Sequence, residues 1–115
     1  GIVGLTFKAH TDDMRESPLL ELVRQLHERG HDIRYFDPNV APEDLLRMGI
    51  EPQLSYSRCT NIEQLVNTTD MLVVGHNTDY GRAAAHLAER FIPVIDLVGL
   101  GNSFKYAKNC QGICW

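Results

Sequence analysis

No apolar run in this sequence approaches the roughly 20 residues that a bilayer-spanning helix requires, so no membrane partner is expected. No basic stretch followed by an apolar one stands at its start, so no secretory signal is expected either. Basic residues are outnumbered: 11 Lys and Arg face 15 Asp and Glu, for a formal charge of -4. That balance excludes bulk electrostatic binding to nucleic acid or to an anionic membrane. A single anionic ligand stays open, because a local pair of cations acts within a Debye length, roughly 8 Å at physiological salt. Cysteine is scarce. Cys59, Cys110 and Cys114 are odd in number and lack a framework spacing, which fits reduced thiols in a cytoplasmic protein. Cys110 and Cys114 stand near each other, but no further cysteine or histidine pair completes a zinc site, so no metal is expected. The dinucleotide fingerprint G-x-G-x-x-G is missing as well: Gly4 is followed by Leu5, Thr6, Phe7 and Lys8. A bulky aromatic and a cation stand where small residues would let a pyrophosphate approach the backbone. No Ser/His/Asp or Cys/His constellation is evident, so no catalytic residue is assigned.

What is present is a chain of 115 residues with 43% hydrophobic content, enough to bury one core. It starts at Gly1, inside an apparent strand and without methionine, which predicts an excised domain of a longer protein. Residues 2–7 read as a buried strand. Ser17 caps a helix with Pro18 at its first position and Leu19, Leu20, Leu22, Val23 and Leu26 at helical spacing, and Gly30 stops it. Residues 33–36 read as a second strand, closed by the turn Asp37-Pro38-Asn39. A short helix over 42–48 stops at Gly49. Leu54 and Tyr56 alternate with polar residues, which allows a short edge strand within 50–58. Thr60 and Glu63 have capping-box spacing and start a helix of about two turns. Residues 71–75 are the clearest strand, apolar on both faces and therefore central. Asp79 or Thr78 caps a helix through Ala83, Ala84 and Ala85, and residues 93–97 form the last strand. The tail from Gly99 to Trp115 has little periodicity. Short strands alternating with helices predict an α/β domain over residues 1–115: a Rossmann-like doubly wound parallel sheet with helices on both faces.

In such a sheet the junction after the first strand is where a phosphate-bearing ligand binds. Here Phe7 offers an apolar or stacking surface and Lys8 a point charge for phosphate; a core aromatic and a solvated lysine remain the alternative. Arg15, two residues ahead of the helix cap, either forks onto a phosphate or ribose or pairs with Asp12, Asp13 or Glu16. Asp12 and Asp13 also suggest a phospho-acceptor receiver pocket. That pattern needs a further Asp at the end of the central strand and a late strand ending in Lys. The central strand ends Val74-Gly75-His76 and the last ends Asp96-Leu97-Val98-Gly99, so the pattern fails. Asp37 is expected to start its turn rather than to hold a ribose. Of the histidines, His27 and His31 read as surface groups, and His76, just after the central strand, is the one placed to line a crevice.

Taken together, Gly4-Leu5-Thr6-Phe7-Lys8, Thr11-Asp12-Asp13-Met14-Arg15-Glu16-Ser17-Pro18 and Tyr35-Phe36-Asp37-Pro38 resemble the C-terminal domain of the UDP-glucose/GDP-mannose 6-dehydrogenase family. Asp96-Leu97-Val98-Gly99 and the ending Gly112-Ile113-Cys114-Trp115 are similar to its GDP-mannose branch. The resemblance spans essentially the whole chain. It implies a nucleotide-sugar-binding domain of an NAD-dependent enzyme that oxidises the C6 hydroxyl to a carboxylate in two steps. The substrate would be GDP-mannose, the product GDP-mannuronate, and the setting polysaccharide biosynthesis. The family's NAD sits mainly on an N-terminal domain, its catalytic cysteine lies between the domains, and the full-length enzyme is a homodimer. By the same resemblance, Phe7 and Lys8 contact substrate and Arg15 reaches the NAD. Two departures stand out. None of Cys59, Cys110 or Cys114 has the glycine-rich context of the catalytic cysteine, so this chain alone is expected to be inactive. Leu97 and Val98 follow the last-strand Asp, where some UDP-glucose members carry an arginine. A UDP-sugar 6-dehydrogenase domain and a stand-alone nucleotide-binding module are the alternatives.

Overall fold

A computed structural model describes residues 1–6, 17–100 and 110–112. The elements run β1 (Ile2–Val3), α1 (Pro18–Glu28), β2 (Tyr35–Phe36), α2 (Pro42–Arg47), α3 (Pro52–Ser55), α4 (Ile62–Asn67), β3 (Leu72–Val74), α5 (Asp79–Ala88), β4 (Val94–Asp96) and β5 (Cys110–Gly112). The strands lie in the order β2-β1-β3-β4-β5, and every pairing is parallel. β3 is central, as its uninterrupted apolar run predicts.

The register sets the two faces. Ile2 lies opposite Tyr35 and Val73, and Val3 opposite Phe36 and Val74. Side chains alternate along a strand, so Val3, Leu72, Val74 and Val94 share one face while Ile2, Tyr35 and Val73 share the other. The first face packs on Leu65 and Val66 of α4 and on Ala84, Ala85 and Ala88 of α5. The second packs on Leu20 and Val23 of α1, Leu45 of α2 and Leu54 of α3. Helices therefore cover both faces, which is the doubly wound arrangement expected. Leu65 and Leu72 are fully buried, each contributing about 1.5–3 kcal/mol of transfer free energy.

α1 forms for the reasons the sequence offers. Ser17 Oγ accepts from the Leu20 N–H at 3.3 Å, and Pro18 occupies the first turn, where no N–H is needed. The helix stops at Gly30, whose φ of 90° is left-handed.

Three expectations are corrected. Residues 52–55 form a turn of helix instead of an edge strand. Pro52 fixes the first helical φ and has no N–H to offer a ladder, Leu54 and Ser55 are buried, and Tyr56 is exposed. On the side of β2 away from β1, the described residues form the isolated bridge Tyr35–Arg58. The cap of α4 is Asn61, not Thr60: its Oδ1 accepts from the Gln64 N–H at 2.7 Å, and Thr60 N and Oγ1 donate to the Gln64 side chain at 2.7 and 2.9 Å. The reciprocal partner is thus Gln64, not Glu63. Finally, β4 is not the last strand. β5, from the tail, pairs with β4 at the edge, Val94 opposite Cys110 and Asp96 opposite Gly112. A three-residue edge strand with one buried side chain is too short to show a period.

Tyr35 has a measurable signature. It is fully buried, its Oη donates to Ser55 O at 2.9 Å, and burial pushes its phenol up from 10.0 to about 12. The unfolded chain ionises this group near pH 10 while the fold keeps the proton, so its stabilisation is complete below pH 10 and lost as pH rises to about 12. Tyr35→Phe should cost about 1–2 kcal/mol at neutral pH, because the Ser55 carbonyl loses its donor. Urea unfolding across pH should also show a flatter decline above pH 10 than in the parent chain; an identical decline would contradict this account of Tyr35.

Candidate functional site

Strand order reverses at β1, which has β2 on one side and β3 on the other. Ligands of open α/β sheets bind at the carboxyl ends of such strands. β1 runs out into Gly4, Leu5 and Thr6, and β3 into Gly75, His76, Asn77 and Thr78. Backbone bonds hold the two exits side by side: Gly4 N donates to Phe36 O at 3.0 Å, and Gly75 N to Val3 O at 2.9 Å.

Side chains then hold the chain beyond the ladder. The buried Asp37 carboxylate accepts from Leu5 N through Oδ2 at 2.8 Å and from Asn39 N through Oδ1 at 2.9 Å. Ser17 Oγ donates to Leu5 O at 2.6 Å while it caps α1. Leu5 is thus fixed at both its N–H and its carbonyl, and Ser17, after residues 7–16, returns to the place the chain left. His76, also buried, has Nε2 2.8 Å from Thr6 O. Thr78 caps α5 by accepting from Gly81 N at 3.0 Å, and the Tyr80 ring meets Phe36 edge-on at 5.7 Å between centroids. At β4, buried Asp96 accepts from Val98 N, Gly99 N and Leu100 N at 2.7–2.9 Å, which commits it to the turn.

Phe7, Lys8 and Arg15, the residues that the sequence proposes for ligand contact, lie outside the described residues, as do Asp12, Asp13 and Cys114. The structure gives their anchors instead. Asp37 starts its turn as expected and also ties down Leu5, a second role that sequence spacing does not reveal. His76 follows β3 and is buried there. His27 pairs with exposed Glu51 at 3.1 Å. Arg58 was missed, since the segment around it was ambiguous. Its Nη2 lies 3.4 Å from Asp37 O, and its Nε is buried with no partner among the described residues. Among those residues no cluster of His, Cys, Asp and Glu suits a metal ion.

Two clefts of about 400 and 330 Å³ open at the opposite edge of the sheet. The larger is lined by Gly1, Asp32, Asp70 and Met71 among others. The exposed carboxylates Asp32 and Asp70 make this cleft unfavourable for a phosphate.

The described residues do not fit a dinucleotide held in the Rossmann manner. With Gly4 as the first glycine of the fingerprint, Thr6 stands where the second is needed, Ser17 Oγ is engaged by Leu5 and Leu20, and both Asp37 oxygens accept from backbone N–H groups. Asp37 is also 0% exposed, so the carboxylate is not presented to a ribose.

Residues 1–95 match the UDP binding domain of the UDP-glucose/GDP-mannose dehydrogenase family. The chain belongs to that family. Over 99% of its length it is 37% identical to GDP-mannose 6-dehydrogenase of Pseudomonas syringae pv. syringae, of which it spans 28%. A UDP-glucose 6-dehydrogenase of Rickettsia bellii is 46% identical across 37 residues, 32% of this chain and 8% of that protein. Among solved structures, a ternary complex of GDP-mannose dehydrogenase from Pseudomonas aeruginosa superposes with a TM-score of 0.83 at 32% identity, over all of this chain and 28% of the other. This UDP binding domain therefore corresponds to a little over a quarter of the curated relatives it matches.

Within the domain, Asp37 is the residue on which the ligand edge most depends. Asp37→Ala strips the acceptor from two backbone N–H groups and should cost about 2–4 kcal/mol in urea unfolding. Asp37→Asn keeps one acceptor oxygen and should cost less. Equal stability of both variants and the parent would show that Leu5 is held by other means.

Proposed function

We propose that this chain is the nucleotide-sugar-binding part of an NAD-dependent 6-dehydrogenase that oxidises GDP-mannose to GDP-mannuronate. The observation that carries this reading is the relation to GDP-mannose 6-dehydrogenases along the full chain, ending Asp96-Leu97-Val98-Gly99 and Gly112-Ile113-Cys114-Trp115 included. The shorter relation to a UDP-glucose 6-dehydrogenase favours a second reading, a UDP-sugar substrate.

In this reading the nucleotide sugar lies across the carboxyl ends of β1 and β3. Its diphosphate meets Lys8, and an apolar part of the ligand rests on Phe7. NAD is held chiefly outside this chain, with Arg15 reaching it across a cleft. The reacting groups also lie outside, so the chain alone has no dehydrogenase activity. The whole enzyme is a cytoplasmic homodimer that serves polysaccharide biosynthesis. The free thiols Cys59 and Cys110 suit that compartment, and no described helix is long and apolar enough to cross a membrane.

Calorimetric titration of the full-length protein with GDP-mannose, UDP-glucose and UDP-N-acetylmannosamine should give the tightest binding for GDP-mannose. Lys8→Ala should weaken GDP-mannose by about 10- to 100-fold and leave NAD nearly unchanged, with Arg15→Ala showing the reverse. Tighter binding of a UDP-sugar would transfer the assignment to the second reading. Equal, negligible effects of both substitutions would return Lys8 and Arg15 to solvent.

A further inference from the structure

We infer that His76 is a positioning residue for the nucleotide-sugar site, fixing the peptide that leads into Phe7 and Lys8. This rests on the function proposed above. His76 is 5% exposed and stands at the carboxyl end of β3. Its Nε2 is 2.8 Å from the carbonyl of Thr6, a residue itself 1% exposed. A carbonyl oxygen only accepts, so Nε2 carries the proton and donates. That assignment leaves Nδ1 as a buried atom without a hydrogen-bond partner among the described residues.

The unpartnered nitrogen separates a positioning role from simple filling. An apolar side chain would fill this space without burying an unsatisfied polar atom, which costs free energy. The histidine is explained by what its other nitrogen does. The space is also reserved for it. Gly4 has a φ of 91°, and a Cβ placed there would come within 2.7 Å of Nδ1 and 2.8 Å of Cγ. Gly4 therefore supplies both a left-handed turn out of β1 and the gap that admits the ring.

The consequence is a chain exit defined at successive peptides. Asp37 takes the Leu5 N–H, Ser17 takes the Leu5 carbonyl, and His76 takes the Thr6 carbonyl. The first two constraints come from the β2 end and α1, the third from β3 across the switch point. Phe7 is the next residue in the sequence, and the third bond holds the last described carbonyl before it.

The test uses the full-length enzyme. His76→Leu keeps an apolar filler and removes the donor; His76→Gln restores an N–H near the reach of Nε2. We expect His76→Leu to raise KM for GDP-mannose about fivefold with KM for NAD changed less than about twofold, and His76→Gln to recover most of the loss. Identical behaviour of the two variants, or parallel shifts for both ligands, would overturn the inference. Nitrogen-15 spectra of the histidine rings give a readout independent of ligand. His76 should be the Nε2–H tautomer, and an Nδ1–H tautomer would overturn the Thr6 bond directly. Lys8→Ala in the same assay separates the two levels of the argument. If Lys8→Ala weakens GDP-mannose and His76→Leu does not, the positioning role is wrong while the nucleotide-sugar site stands. If the parent enzyme binds no nucleotide sugar, that function falls and this inference with it.

Discussion

β1 is only two residues long, Ile2 and Val3, so its ladder ends before the chain reaches Leu5 and Thr6. The bond from Leu5 N to the buried Asp37 carboxylate takes over at that point. It borrows rigidity from β2, because Asp37 directly follows Phe36 and is itself fixed by the turn at Asn39. A charge-assisted bond of this kind is stronger than a neutral one, and its burial keeps water from competing. With Leu5 held, Ser17 closes on its carbonyl, α1 starts at the right place, and Thr6 comes within reach of His76.

The same arrangement settles how charge is distributed. Asp37 and Asp96 are both buried at the carboxyl edge of the sheet, yet both are spent on backbone N–H groups. Both are 0% exposed, so neither offers an oxygen at the surface. The opposite edge carries Asp32 and Asp70 around an open cleft instead.

Much of this fold was legible in the sequence, for physical reasons that differ by element. Residues 72–74 are apolar on both faces and could only be central. Ser17, Pro18 and Gly30 bracket α1 with groups whose backbone chemistry is unambiguous. The failures are equally specific. The alternation of Leu54 and Tyr56 imitates a strand, but Pro52 and the burial of Ser55 decide for a helical turn. The cap of α4 moved by one residue because Asn61 competes with Thr60 and the better-placed glutamine is Gln64. β5 is invisible to periodicity, since its place depends on pairing with β4 and not on its own pattern. At the site, the sequence marked out Phe7, Lys8, Arg15 and His76 but not the ties through Asp37 and Ser17, which join residues far apart in the chain.

The central claim is that the carboxyl ends of β1 and β3 receive the nucleotide. The most direct measurement is amide chemical-shift perturbation on the nitrogen-15-labelled 115-residue chain titrated with GDP. The account predicts the main shifts at Leu5, Thr6, His76 and Asn77, with Asp32 and Asp70 undisturbed. Shifts confined to residues 30–33 and 68–71, around the cleft at the opposite edge, would contradict it.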